Sequence, residues 1–375
     1  MSQRVTASLP MDWRPGQNIK FDSLGAKAHT IATNVLKQES PPRLTEEERM
    51  MLHKRERAAV DHYINPDMLP VSEMKRATKP LVLQFSESHH QGPRPTYEDA
   101  LRHREYPHGT MMALGDGHGT RPKAGQRAWG QVIAELVVQS AVEALPACIE
   151  RNYFNTHKAH LEWAEEIQTK IPEVPAGTTL VTAYFERINH YLHVASCGDS
   201  EVIVFRKRDG LIYPIPLTPI LNWQTPACVE RMRAILTAEE FAEWEKQLGK
   251  TRRCPPNTGV NISSTLGDKM MHVRGQTAIS HVPECTLLQL EEDDIVMLAC
   301  DGVHDVTRID DILDQILRQN WDNPNINLAR AIAEFALVDK KSTDNVTVMI
   351  ARVVAKKSAP RPLSKSKTLT LTQIL

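Results

Sequence analysis

Apolar and polar positions along this chain change period several times, and each change marks an element. Leu81-Val-Leu-Gln-Phe85, Met111-Met-Ala-Leu114, Leu180-Val-Thr-Ala-Tyr-Phe185, Tyr191-Leu-His-Val-Ala195 and Val202-Ile-Val-Phe205 are short apolar runs bounded by turn residues, and they predict strands. Ile295-Val-Met-Leu-Ala299 and the run from Val346 to Val354 continue the series. Elsewhere the period lengthens. Ile133, Leu136, Val137, Ala141 and Leu145 share one side of a helix expected over 127–149. A second helix is expected over 157–171, stopped by Pro172, and two more over 308–318 and 326–338. Strands in groups and helices in groups predict a layered α+β fold rather than alternating βαβ units.

Residues 1–79 lack strand patterns and read as an N-terminal extension with one helix. Thr45 and Glu48 form a capping box there, and the helical pattern runs to Tyr63 before Asn65-Pro66. The strand-rich part spans 80–356. Within it, 219–262 has a different texture, interrupted by Pro219, Pro226, Pro255 and Pro256. Thr237 with Glu240 caps one helix there; Phe241, Trp244 and Leu248 share its face, and Gly249 can end it. This segment reads as an inserted surface flap whose apolar side chains either pack on the core or face a partner. The last stretch, 356–375, holds five basic and no acidic residues, which predicts a flexible basic tail over 357–375.

Composition narrows the function classes. With 41% hydrophobic and 24% charged residues the chain has the make-up of a soluble globular protein. A net charge of -1 and only 5% aromatics argue against nucleic acid as a partner. The six cysteines form no C-x-x-C pair and are expected as small core residues in a reducing compartment. No secretory signal is visible and no apolar run reaches the ~18 residues of a membrane span. The expectation is a soluble, cytoplasmic monomer. The arm, flap and tail would also fit a secreted bacterial effector in a host cytosol.

The candidate chemistry is acidic. Arg94-Pro-Thr-Tyr-Glu98-Asp99, Asp116-Gly-His-Gly119, Asp301-Gly-Val-His-Asp305 and Asp344-Asn345 each border a strand run. Carboxylates from separate segments, with no competing Cys/His cluster, suit hard cations such as Mg2+ or Mn2+. Each motif alone is weak, since Asp-Gly is an ordinary turn signal. Their order carries more. Between the second and third motifs stand Ala176-Gly-Thr-Thr179, Gly198-Asp199-Ser200 and Ser264-Thr-Leu-Gly267-Asp268. The whole ordered series, over roughly residues 80–355, resembles the metal-dependent protein phosphatases of the protein phosphatase 2C type.

That resemblance implies a four-layer α-β-β-α sandwich, two antiparallel sheets flanked by helices, with the metals in a cleft at one edge. Asp116 resembles the carboxylate bridging two metals, and the Gly117 carbonyl a ligand of the second. Asp301 and Asp344 match ligands of the first metal. Glu98 and Asp99 match residues that hold metal-bound waters. Asp199 and Asp305 match residues of a weaker third site. Arg94 matches the arginine that grips the substrate phosphate, and His118 the proposed general acid. The implied reaction is hydrolysis of phosphoserine or phosphothreonine in a phosphoprotein, by hydroxide held between two Mg2+ or Mn2+ ions. Physical chemistry agrees: two divalent cations cancel the phosphate charge and acidify water, and a planar guanidinium can grip two phosphate oxygens. The chain departs from the family after Leu217-Thr218, where Pro219-Ile-Leu221 replaces Asp-His-Lys, and at Ser263-Ser264 in place of Ser-Arg. Neither change removes a metal ligand. A second class of function, an inactive phosphatase-like scaffold that binds a partner, would normally show lost metal aspartates. A third reading is a phosphohydrolase of small molecules on the same fold.

Overall fold

In a computed structural model of the chain, residues 80–119, 127–248, 260–270, 272–273, 276–323 and 325–356 are described. All of them belong to the unit Tyr63–Leu375. The helix expected before Tyr63, the tail from 357 and the stop at Gly249 lie outside the described residues.

Fourteen strands are described: β1 (Leu81–His90), β2 (Asp99–Glu105), β3 (Gly109–Gly119), β4 (Ala176–Thr178), β5 (Leu180–Glu186), β6 (Tyr191–Cys197), β7 (Glu201–Arg208), β8 (Leu211–Pro216), β9 (Leu266–Gly267), β10 (His272–Val273), β11 (Gln276–Thr277), β12 (Glu284–Gln289), β13 (Ile295–Ala299) and β14 (Val346–Ala355). The helices are α1 (Trp129–Arg151), α2 (Thr156–Lys170), α3 (Pro226–Ile235), α4 (Ala238–Leu248), a single turn α5 (Asp301–His304), α6 (309–320) and α7 (328–339). Helices α6 and α7 each contain a π-helical stretch, Leu313–Leu317 and Phe335–Asp339.

One antiparallel sheet runs β1-β14-β13-β7-β8, and the other β12-β6-β5-β3-β4-β9 with β2 added on β3. Strand alternation sorts the side chains into three layers of core. On β5, Val181, Ala183 and Phe185 fill the space between the sheets, while Leu180 and Tyr184 face α1 and α2. On β13, Val296 and Leu298 face the other sheet, while Ile295, Met297 and Ala299 face α6 and α7. Both faces of these strands are covered, so they read as unbroken apolar runs even though the sheets are antiparallel. The expected α-β-β-α sandwich is observed.

Among the strands of five residues or more, three escape the apolar pattern: β2, β8 and β12. Each is bonded on one side only. An edge strand keeps part of its surface in water and tolerates proline, as β8 does at Pro214 and Pro216. Leu136, expected on the buried side of α1, is 36% exposed, whereas Ile133, Val137, Ala141 and Leu145 are fully buried. By length and composition α1 could cross a membrane, contrary to the expectation that no run would reach that length. Its apolar side is instead packed against the second sheet.

The flap holds two helices where one was expected. Helix α3 begins with Pro226, whose fixed φ suits a first turn. Helix α4 has the capping box: Thr237 N–H donates to Glu240 Oε2 at 2.9 Å, and Glu240 N–H to Thr237 Oγ1 at 3.3 Å. Phe241 and Trp244 are buried with Trp223, Cys228 and Met232 in a fourth core that the flap shares with Ala278 and Ile279, so they offer no patch to a partner. Of the cysteines, five are described and free; Cys148, Cys197, Cys228 and Cys300 are buried, as expected of core residues.

Candidate metal centre

The candidate carboxylates leave the sandwich at one end. Register places Asp99 on β2 directly opposite Asp116 on β3. Asp301 opens α5 as the chain leaves β13, and Asp344 stands just before β14, the neighbour of β13. Asp199 lies in the β6–β7 turn, after Gly198, whose φ of 108° is open to glycine alone at little cost. Glu98 is positioned by the Asp-Asn motif: its N–H donates to Asn345 Oδ1 at 2.8 Å, while Asn345 Nδ2 donates to the carbonyls of Gln91 at 2.7 Å and Thr96 at 3.0 Å. One amide side chain thus ties the loop before β2 to the start of β14. A second close approach sets the other wall. A Cβ on Gly130 of α1 would stand 2.1 Å from Glu98 Oε2, and one on Gly117 would stand 2.3 Å from the Gly130 carbonyl. Only two bare backbones let α1 come this near.

These residues enclose a cleft of about 310 Å³. Arg94, Glu98, Asp116, Gly117, His118, Asp199, Asp301 and Asp344 line it, and Val260, Asn261 and Ile262 at the end of the flap form part of the wall. Asp99 is buried and not among the lining residues. Asp305, one turn along α5, is also not a lining residue, yet its charge is felt by Asp199 and Asp301.

Burial, and after it the charge of neighbouring carboxylates, pushes several acids upward. Asp99 and Asp199 rise to about 7, Asp301 to about 6, and Asp116 well above its ordinary range. So many like charges cannot all ionise side by side without a counter-charge. Three buried oxygens, Glu98 Oε2, Asp99 Oδ1 and Asp301 Oδ1, have no hydrogen-bond partner. The Cys300 thiol stands close by, within 4.8 Å of oxygens on Asp99 and Asp116, but its S–H is directed at the Asn345 carbonyl. Orphaned, all-oxygen donors on converging carboxylates fit hard divalent cations.

The sequence profile of the family Protein phosphatase 2C matches residues 86–346. The chain belongs to the protein phosphatase 2C family. By family it is therefore a metal-dependent protein serine/threonine phosphatase. Among solved structures, the serine-threonine phosphatase 2C of Toxoplasma gondii superposes with a TM-score of 0.54 at 16% identity, over 74% of this chain and 98% of that one. A C. elegans sex determining protein gives a TM-score of 0.53 at 20% identity, over 84% of this chain and 76% of that one. At such identities the likeness concerns the fold.

Two residues of this phosphatase 2C site differ in setting from what the motifs suggest. The Arg94 guanidinium, half exposed at the mouth of the cleft, donates through Nη2 to the Asp344 carboxylate and through Nε to the Thr343 carbonyl at 3.3 Å. His118 Nε2 lies 2.7 Å from Asp268 Oδ2. Burial alone would favour the neutral ring, but the carboxylates of Asp268, Asp199 and Glu98 together reverse it and the net shift is upward. Asp268 is itself 1% exposed and takes a second hydrogen bond from Thr265 Oγ1 at 2.6 Å. Asp268 and Asn345 stand within the ordered motifs, but the sequence assigns neither of them a role. The signal was present, since both sit in the ordered series, but only the fold shows what each one touches.

Proposed function

We propose that this chain hydrolyses phosphoserine and phosphothreonine in proteins with Mg2+ or Mn2+ as cofactor. One observation carries the reading: Asp116, Asp301, Asp344 and Glu98 come from four separate segments and line one cleft, with Asp99 behind them and buried oxygens left unpartnered. Asp116, Asp301, Asp344 and the Gly117 carbonyl would hold two cations, with Glu98 and Asp99 acting through water and Asp199 and Asp305 at a weaker third position. Bound there, the cations supply charge neutralisation and an activated water at neutral pH.

The chain's own residues do the rest. Arg94 stands at the mouth with a fork suited to two phosphate oxygens, and it would exchange its present carboxylate partner for the substrate. His118 faces the cleft and would protonate the departing serine or threonine oxygen, an alkoxide too basic to leave unaided. Asp268 accepts from Nε2–H, so the proton available to the leaving oxygen would be the one that the charged ring carries on Nδ1.

The test is hydrolysis of a phosphothreonine peptide by the purified protein with Mn2+, Mg2+ or EDTA. Activity is expected only with the cations. Asp301→Asn should lower kcat by more than about a hundredfold, since even losses outside the metal's own ligands cost 10–100-fold. Near-normal turnover in Asp301→Asn would sink the assignment, and metal binding without any turnover would favour the scaffold reading.

A further inference from the structure

One carboxylate of the centre is connected to the protein surface by a continuous row of side chains. Asp99 Oδ2 accepts from Thr347 Oγ1 at 2.6 Å. Thr347 Oγ1 is 2.7 Å from the Tyr97 hydroxyl, and that hydroxyl is 3.0 Å from His89 Nδ1. The row crosses between layers. Thr347 stands on β14 opposite His89 on β1, in one sheet, while Asp99 stands on β2 of the other. Thr347 and Asp99 are buried, and His89 is 40% exposed.

The direction of each bond follows from counting protons. With a cation in the centre Asp99 is ionised and can only accept, so the single proton of Thr347 goes to Asp99. Thr347 must then accept from Tyr97, because the tyrosine has the only proton available for that contact. Tyr97, having given its proton inward, must accept from His89 Nδ1–H, while His89 Nε2 faces Glu87 Oε2 at 3.8 Å, and the charged ring serves both partners. All three bonds therefore point toward Asp99. In such a row each hydroxyl that accepts becomes a better donor. The row also occupies Oδ2, and so leaves Oδ1, the oxygen without a partner, as the one available for the cation centre.

We propose that Thr347 and Tyr97, with His89 at the surface end, are positioning residues that hold Asp99 in one orientation and thereby set the divalent-cation affinity of the centre. This rests on the reading of the site as a divalent-cation centre. The plain alternative is a seam of satisfied hydroxyls that only stabilises the contact between sheets. The two differ in what they move: a seam changes unfolding of the metal-free protein, whereas a positioning row changes metal affinity.

The experiment is calorimetric titration of the full chain with Mn2+, paired with thermal unfolding in EDTA. Wild type should bind Mn2+; if it does not, the reading of the site fails, and this inference with it. Thr347→Val keeps the shape and removes the donor to Asp99, and should weaken Mn2+ binding about tenfold or more. Thr347→Ser keeps the hydroxyl and should restore most of the affinity, which also covers a Thr347→Val protein that folds poorly. Tyr97→Phe should weaken binding by roughly threefold. His89→Ala should have a smaller effect, and none at all when added to Tyr97→Phe, because its only route to Asp99 is through that hydroxyl. Unchanged Mn2+ affinity in both Thr347→Val and Tyr97→Phe, with lowered unfolding temperatures in EDTA, would overturn the proposal in favour of the seam.

Discussion

At the scale of single residues, the pair His118–Asp268 makes the sharpest claim. Asp268 sits on a backbone of positive φ, 48°, immediately after Gly267. Gln168 of α2 clamps Gly267 at both backbone groups, accepting from its N–H and donating to its carbonyl, at 2.9 and 2.8 Å. An aspartate held this firmly behind an imidazole is suited to orienting it. If His118 protonates the leaving oxygen, Asp268→Asn should hurt substrates with poor leaving groups most. Turnover of a phosphothreonine peptide should fall on the order of a hundredfold, the lower range for a lost general acid, with a much smaller loss on p-nitrophenyl phosphate, whose leaving group needs little help. His118→Gln should show the same selectivity, and the double variant should be no worse than either single one. Equal losses on both substrates would mean that Asp268 supports the cleft rather than the proton donor.

At the scale of elements, the flap carries a prediction about substrate recognition. Its helices close over a small core that takes in Ala278 and Ile279 from beyond the flap, and Arg231 of α3 fastens to that following stretch by donating to the carbonyls of Ala278 and Ser263 at 2.9 and 2.7 Å. The chain then returns through Val260, Asn261 and Ile262 to line the cleft. Small phosphate esters need only the cations and Arg94, whereas a protein substrate draws binding energy from more distant surface. Replacing 237–248 with a short Gly/Ser link should therefore leave hydrolysis of an aryl phosphate within a fewfold of normal. Turnover of a phosphoprotein substrate should fall by roughly tenfold or more. A matched loss on both would show that α4 supports the cleft itself.

At the scale of the whole molecule, the layer between α2 and the second sheet should be sensitive to acid. His160 Nδ1 donates to the Thr156 carbonyl at 2.8 Å, and its Nε2 lies 2.8 Å from Thr182 Oγ1, in full burial. Burial lowers His160 to about 4 and the neighbouring His193 to about 3. Above pH ~6.5 both are neutral, folded or unfolded, and no penalty arises. As pH falls from ~6.5 toward 4, the unfolded chain takes up protons that the folded protein refuses, so stability declines. In His160→Gln this share of the decline should vanish. The difference between the variant's and the wild type's stability should shift in the variant's favour by up to about 3 kcal/mol between pH 7 and pH 4. Denaturant unfolding at a series of pH values measures it, and parallel profiles would contradict the assignment.

The sequence by itself determined the strands and helices that fill the middle of the sandwich. Runs such as Ile295–Ala299 are buried on both faces, so composition alone marks them. It also marked the acidic motifs, because a metal-binding carboxylate must be an Asp or Glu at a strand end and the order of several is hard to imitate. The edge strands β2, β8 and β12 were not legible, since a half-solvated strand needs no apolar period. Neither was the second flap helix, whose proline looked like an interruption and is in fact its first turn. Tertiary structure alone decided which side chains meet: Asp268 behind His118, Asn345 across to Glu98, and Thr347 across the two sheets to Asp99. Those contacts join residues about 150 to 250 positions apart, and no local pattern records them. Hydrogen-bond partners across a sandwich are set by sheet order and register, which are properties of the packed whole.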